Sequence, residues 1–335
     1  MKQTLCALTA VAAALSFSTT ASAAKYYNCA NTSSNTGCTA SSDIGVSSTY
    51  ARTVYPIVLA HGLVGFTKVG SIDYFYGVPK DLTSQGSLVY TTLTSAVNGS
   101  AEVRGEQLLA QVNKIIALSG KSKVNLIGHS QGGLDSRYVF GVAPTKVASV
   151  TTVGTPHKGT PVADLAIKIV QGEPTGLLQS AANALANSIG QLITGVSGGG
   201  SSNQSLMSSL NTLSTTGAAS FNQRFPTGLP TSSCGTGATS SQNVKFYSWG
   251  GTSPFTNILD PIDGALTAAS VAFWGGASDG VVGRCSNHFG QVIRDNYNMN
   301  HGDLINQVLG IHAIFETDPL TVYRTQANRL KNASL

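Results

Sequence analysis

The chain has 335 residues, of which 41% are hydrophobic and only 10% charged, and its formal net charge is +5. That length can bury a large core, as one big α/β domain or two smaller ones. So few charges, with no basic run, argue against nucleic acid as a partner and suit work near an oily interface.

Residues 1–24 read as a secretory signal peptide. Lys2 gives a charged start, residues 5–17 a short apolar run, and Ala21-Ser22-Ala23 a small-residue cleavage pattern. No other stretch is long and apolar enough to span a bilayer, so the expectation is an exported, soluble protein without stable membrane insertion. Export permits disulfides. Cys6 leaves with the signal, and Cys29, Cys38, Cys234 and Cys285 remain. Their spacing fits no zinc pattern, and an even count fits two bridges. Three pairings are open; nearest neighbours, Cys29–Cys38 with Cys234–Cys285, make the simplest.

Residues 25–50 are polar and predict an irregular N-terminal arm pinned by Cys29–Cys38, ahead of a catalytic domain over 51–335. Residues 54–60 form a β-prone run ending at His61-Gly62-Leu63, 68–85 suggest loop with short helix, and 88–93 a second strand. Ser100 can cap a helix that carries Glu102 and Glu106 early and that Gly120 can end. Its Leu108, Val112, Ile115 and Ile116 share one face. Strand, turn and helix follow at Val124-Asn125-Leu126-Ile127-Gly128-His129-Ser130-Gln131-Gly132-Gly133. A further strand over 147–153 closes at Gly154-Thr155-Pro156. This alternation predicts an α/β fold with a mostly parallel sheet covered on both faces.

Val162, Leu165, Ala166, Ile169 and Val170 then repeat at helical spacing. A second apolar stretch over 177–193 runs up to the glycine-serine segment from Gly195. This is either a helix that covers the core or a lid, about 160–195, hinged at its glycine-rich end. Residues 203–225 look helical, 227–241 turn-rich and 244–249 strand-like, and Val292-Ile293 suggest a last short strand. Asp318-Pro319 begin a final helix with Leu320, Tyr323, Ala327 and Leu330 facing inward.

The chemistry centres on Ser130, whose turn between strand and helix can hold a hydroxyl clear of the sheet. Gly195-Val196-Ser197-Gly198-Gly199 and Gly276-Ala277-Ser278-Asp279-Gly280 match the same pattern, but neither has both the strand before and the helix after. A serine needs a neighbouring base, and an acid to orient that base, in the chain order Ser, Asp, His. The candidate bases are His288, His301 and His312. His301 is favoured, in a turn after the last strand and before a helix from Asp303. Asp279, in an Asp-Gly turn, is preferred as the acid over Asp260, Asp263 and Asp295, which read as turn or surface residues. The amides of Leu63 and Gln131 stand where an oxyanion would need donors. His61 and His129 read as loop-packing residues rather than catalysts.

Several segments together carry a resemblance: Val58-Leu59-Ala60-His61-Gly62-Leu63-Val64-Gly65-Phe66, the Ser130 turn, Thr155-Pro156-His157-Lys158-Gly159, Ala277-Ser278-Asp279-Gly280-Val281-Val282-Gly283-Arg284-Cys285, and Asn300-His301-Gly302-Asp303-Leu304-Ile305-Asn306-Gln307. From about Tyr55 onward the chain resembles the secreted triacylglycerol lipases of Pseudomonas and Burkholderia. The resemblance implies an α/β-hydrolase with a helical lid over roughly 162–185 and a Ser130, Asp279 and His301 triad. It also implies an oxyanion hole from Leu63 and Gln131, and a Cys234–Cys285 bridge. A bound calcium ion is implied as well, on the side chains of Asp260, Asp303 and Gln307 and the carbonyl of Ile311, with Gln307 and Ile311 at helix-turn intervals after Asp303. Such lipases act on long-chain acylglycerols at the lipid–water interface, commonly need a membrane-anchored foldase chaperone, and leave the cell through the periplasm. Short soluble esters or a polyester are the alternative substrates, and a silent lipid-binding protein the non-enzymatic alternative. Two departures stand out: the arm is longer than usual, and Gly302 replaces the usual leucine after the histidine, which implies a looser loop.

Overall fold

The apolar runs of the sequence become strands of one sheet. A computed structural model describes residues 23–29, 37–63, 65–66, 68–69, 72–94, 99–173 and 203–335. Nine strands join: β1 (Tyr27–Cys29), β2 (Cys38–Ala40), β3 (Ile57–Ala60), β4 (Val89–Thr92), β5 (Val124–His129), β6 (Val147–Val153), β7 (Ser240–Ser241), β8 (Val244–Gly251) and β9 (Gln291–Tyr297). Their order is β7-β8-β6-β5-β3-β4-β1-β2, with β9 also on β8. Every pairing is parallel except β7 with β8 and β1 with β2.

Alternation along each strand divides the core in two. Ile57 and Leu59 of β3 face a layer formed with α1 (Val78–Ser84) and the final helix, through Val78, Leu82, Tyr323 and Ala327. Val58 and Ala60 face the other layer, where α2 (Ala101–Ser119) and α3 (Gln131–Val142) supply Leu108, Val112, Ile115, Val139 and Phe140. A strand buried on both faces must be apolar at nearly every position, as β3 is. The cap at Ser100 forms, its hydroxyl accepting from Val103 N, and Gly120 ends α2 at φ 65°.

A third cluster joins Leu134 of α3 to α4 (Pro161–Val170), α5 (Asn203–Leu213) and α6 (Thr215–Arg224), with Ala269 of α7 (Asp263–Ser270). The 203–225 segment is thus two helices, broken where Ser214 caps the second by accepting from Gly217 N at 3.0 Å. The final helix, α8 (Pro319–Asn332), starts as expected, with Asp318 accepting from Leu320 N at 2.7 Å.

Two expectations give way. Among its described residues the arm is not irregular throughout: β1 lies parallel to β4 and β2 folds back on it, while Cys29–Cys38 joins the pair. An open sheet edge offers unpaired backbone groups, so a polar segment can add to it with no apolar pattern to announce the strand. The helix expected from Asp303 is a single 3-10 turn over Asp303–Ile305. Asn306 at φ 62° and Leu309 at φ 56° take left-handed conformations that a helix cannot continue through. Both bridges follow the nearest-neighbour pairing, the second being Cys234–Cys285. No helix among the described residues is long and apolar enough to cross a membrane. Residues 1–22, the apolar stretch over 177–193 and the Gly195 hinge lie outside the described residues.

Candidate active site

β5 ends at His129, α3 begins at Gln131, and Ser130 between them holds φ 54° and ψ −126°. The turn is tight enough to require its glycines. A Cβ on Gly128 would lie 2.3 Å from the Gly132 carbonyl oxygen, and one on Gly132 would lie 2.3 Å from the Ala60 carbonyl oxygen. Ser130 N donates to Val153 O at 2.9 Å, fixing the turn to the end of β6. The loop after β3 comes against it, since a Cβ on Gly62 would meet Ser130 Cβ at 2.7 Å.

On the facing loops, Asp279 is buried in its Asp-Gly turn, with Gly280 at φ 95°. Its Oδ1 accepts from Val281 N at 2.9 Å and Val282 N at 2.7 Å, which leaves Oδ2 to face His301 Nδ1 at 2.8 Å. His301 N also donates to Asp279 O at 2.9 Å. Gly154, next to Val153, closes the arrangement. A side chain there would press within 3.2 Å of Asp279 Oδ2 and 3.3 Å of His301 Nδ1. Ser130, His301 and the Leu63 loop thus stand at the carboxyl ends of β5, β9 and β3, where an open parallel sheet places its ligands.

The rival residues are engaged elsewhere. His288 faces Asp295 Oδ2 at 2.9 Å and Gly235 O at 2.8 Å, and Arg284 grips Asp295 with two nitrogens. His312 Nδ1 faces Ala313 O. Ser278 is buried, accepting from Gly280 N at 3.4 Å, and Ser197 lies outside the described residues. Cys234, His288 and Asp295 gather closely, but Cys234 is in its disulfide and offers no thiolate to a metal.

A residue the sequence did not single out braces the loop that carries Leu63. Arg104 is completely buried; its Nη2 donates to His61 O at 2.9 Å and Gly62 O at 3.2 Å, and its Nε donates to Asp135 Oδ2 at 2.9 Å. In a trans peptide the C=O and the next N–H point oppositely, so holding the Gly62 carbonyl aims the Leu63 amide away from Arg104. Neither the Leu63 nor the Gln131 amide donates to another group among the described residues. Burial pushes the Asp135 carboxyl up to about 7 against the pull of Arg104. Burial, with Arg104 nearby, pushes His61 down to about 3.

Of the candidate calcium ligands, Asp260 and Asp303 are brought together around Asn300. Asn300 Nδ2 donates to Asp260 Oδ2 at 2.9 Å, and Asn300 N donates to Asp303 Oδ2 at 3.0 Å. Asp263, expected as a turn or surface residue, joins them: it is buried and takes the second contact of Asn300 Nδ2 at 2.8 Å. Asp260 is equally buried and not at the surface. Asp303 Oδ1 is enclosed with no partner. Burial, with Asp260 and Asp263 close by, pushes the Asp303 carboxyl up to about 7. An orphaned carboxylate oxygen among acids fits a hard divalent cation. Gln307 lies on the same loop but donates its amide to Asp73 O at 2.7 Å and Tyr74 O at 3.1 Å, and Ile311 follows a turn rather than a helix. Gly302 is closely packed in this loop. Its N donates to Asn300 Oδ1 at 2.7 Å, and Ile262 Cδ1 fills the place of a side chain, 2.4 Å from where a Cβ would stand.

A serine raised on a strand–helix turn, with a carboxylate-held histidine beside it, defines a class: the serine hydrolases built on an α/β sheet. The family model for the alpha/beta hydrolase fold matches residues 55–289. The chain is 50% identical over 287 residues to a triacylglycerol lipase of Vibrio cholerae, covering 85% of this chain and 90% of that protein. It is 43% identical to one of Burkholderia plantarii, covering 84% and 87%, and 39% identical to one of Pseudomonas fragi, covering 85% and 98%. In fold it is similar to a Staphylococcus hyicus lipase, with TM-score 0.53 at 17% identity over 83% of this chain and 96% of that one. The chain belongs to the α/β-hydrolase family and, within it, to the bacterial triacylglycerol lipases.

Proposed function

We propose that this protein is a triacylglycerol lipase that hydrolyses carboxylic esters of long-chain acylglycerols through an acyl-enzyme on Ser130. The observation that carries the reading is the 2.8 Å contact of His301 Nδ1 with buried Asp279, beside the Ser130 turn. Asp279 holds the imidazole with Nδ1 protonated, so Nε2 is the nitrogen left to take the Ser130 proton. Ser130 Oγ then attacks the ester carbonyl, and the amides of Leu63 and Gln131 hold the oxyanion. His301 passes the proton to the departing alcohol, and water, activated by the same imidazole, releases the fatty acid.

Calcium, where bound, supplies charge neutralisation among Asp260, Asp263 and Asp303 and takes no part in the proton transfers. Asp260 and Asp303 would hold it, with the Gln307 side chain and Ile311 carbonyl from the adjoining loop. Secretion through the periplasm after loss of residues 1–24, where both bridges can form, and assistance by a dedicated foldase complete the reading. The two disulfides and the bacterial lipase relatives support it.

The test is twofold. An organophosphonate ester should label Ser130 covalently, and Ser130→Ala should abolish both labelling and turnover, by several orders of magnitude. A series of esters of rising chain length should show activity jumping once substrate exceeds its solubility. Full activity on dissolved short esters with no rise on emulsions would mark a soluble esterase. A protein that takes no label would be a silent lipid binder.

A further inference from the structure

Tyr74 and His129 are buried within the site and have no part in the reaction as written. Tyr74 OH lies 2.8 Å from His129 Nδ1 and accepts from Gly62 N at 3.1 Å, while His129 Nε2 lies 3.1 Å from the carbonyl oxygen of His301. With His129 uncharged, the two ends decide every proton between them. The His301 carbonyl can only accept, so His129 Nε2 carries hydrogen and donates. The Gly62 amide can only donate, so the Tyr74 oxygen accepts from it and its own hydrogen goes to His129 Nδ1. The chain therefore runs one way, from the residue before oxyanion donor Leu63 to the backbone of the base.

We propose that Tyr74 and His129 are positioning residues for the hydrolysis, a directional hydrogen-bond relay that ties the oxyanion loop to the His301 backbone. The proposal rests on the serine-hydrolase reading above. His301 is then held from two sides, by Asp279 through Nδ1 and by His129 through its carbonyl. Edge contacts from Phe66, Phe75 and His61 fix the Tyr74 ring. The His129 and His301 rings lie 4.5 Å apart, so His129 must stay uncharged when His301 takes the serine proton. Burial first, then nearby His301 and His61, holds its pKa well below the usual imidazole value. As one end of the relay moves, the other is drawn with it, and a misplacement near 1 Å at a reacting group costs on the order of a hundredfold in rate.

The experiment measures kcat and KM on a dissolved short-chain ester, with melting temperature and phosphonate titration of active sites alongside. The variants are Tyr74→Phe, His129→Phe, His129→Gln and the double Phe variant. His129→Phe should lower kcat about 10- to 100-fold with KM within about twofold, and Tyr74→Phe about 3- to 10-fold. His129→Gln, which keeps a donor and an acceptor, should recover most of the loss. The double variant should be no slower than His129→Phe alone, because one relay is broken only once. Losses that multiply in the double variant overturn the relay, as does Tyr74→Phe within about twofold of the parent. Should His129→Phe fail to fold, Tyr74→Phe and His129→Gln still decide the matter by these measures. A parent protein that takes no phosphonate at Ser130 refutes the hydrolase reading itself, and the relay with it.

Discussion

Burial holds three imidazoles of this chain uncharged: His61 at about 3, and His129 and His157 well below the usual value. An unfolded chain takes up protons on these groups near pH 6.5, whereas the folded one does not. The stability they confer is therefore complete above pH 6.5 and lost as pH falls through that value toward 3. Each fully buried imidazole steepens the loss by up to about 1.4 kcal/mol per pH unit. Asp135 and Asp303, raised to about 7 in the folded chain, take up protons over the same range and offset part of this loss, so stability should fall gradually rather than collapse in mild acid. Denaturant titrations between pH 7 and 4 check this. His61→Gln should flatten the slope by about one proton, and an unchanged slope would mean that His61 is already charged in the folded state.

Among the elements, α4 is fastened to the core at its start and more exposed toward its end. Its start is fastened: Thr160 N donates to Leu213 O at 2.9 Å, Thr160 Oγ1 to Val281 O at 2.5 Å, and Asp164 accepts from Thr215 N at 3.0 Å. Val162 is buried, whereas Val170 is 41% exposed. A lid continuing from α4 should then pivot near its carboxyl end. Ile169→Asp should impair hydrolysis of emulsified long-chain esters more than of a dissolved short ester. Val162→Asp, which buries a charge, should instead cost about 3–5 kcal/mol of stability and reduce both activities together. Equal losses from Ile169→Asp on both substrates would retire the lid and leave a core helix.

At the scale of the whole molecule, a covalent tie joins remote segments. Cys234–Cys285 closes a separation of 51 residues, and its removal should cost about 4 kcal/mol by the chain-entropy estimate. Cys234→Ser with Cys285→Ser measures that directly by its denaturation midpoint. Calcium, if bound among Asp260, Asp263 and Asp303, adds about 2.7 kcal/mol when present at a hundred times its dissociation constant. Chelation should therefore lower the melting temperature and drain activity slowly. Asp260→Ala should do both without chelator, and zinc should substitute poorly, since neither thiolate nor imidazole joins the ligands. Exhaustive chelation that leaves melting and activity unchanged would remove the site.

The sequence by itself determined what depends on near neighbours along the chain. The periodicity of β3, β5 and β6, the capped ends of α2 and α8, the glycines around Ser130 and the Asp279-Gly280 turn all follow from steric rules acting within a few residues. The order Ser130, Asp279, His301 was legible for the same reason, as each member sits in a local turn of recognisable chemistry. Tertiary structure alone decided the rest. Tyr74 meets His129 across 55 residues of chain, and Arg104 meets His61 across 43. Asp263 looked like a surface turn until Asn300 was folded against it from 37 residues away. The strand pairing of β1 depended on β4 leaving an edge open, and the loss of the helix at Asp303 on turns that Asn306 fastens to Tyr76 O. A tyrosine, an arginine or an asparagine carries no local mark of such a role, because its donors and acceptors gain their meaning only from the groups that folding brings within 3 Å of them.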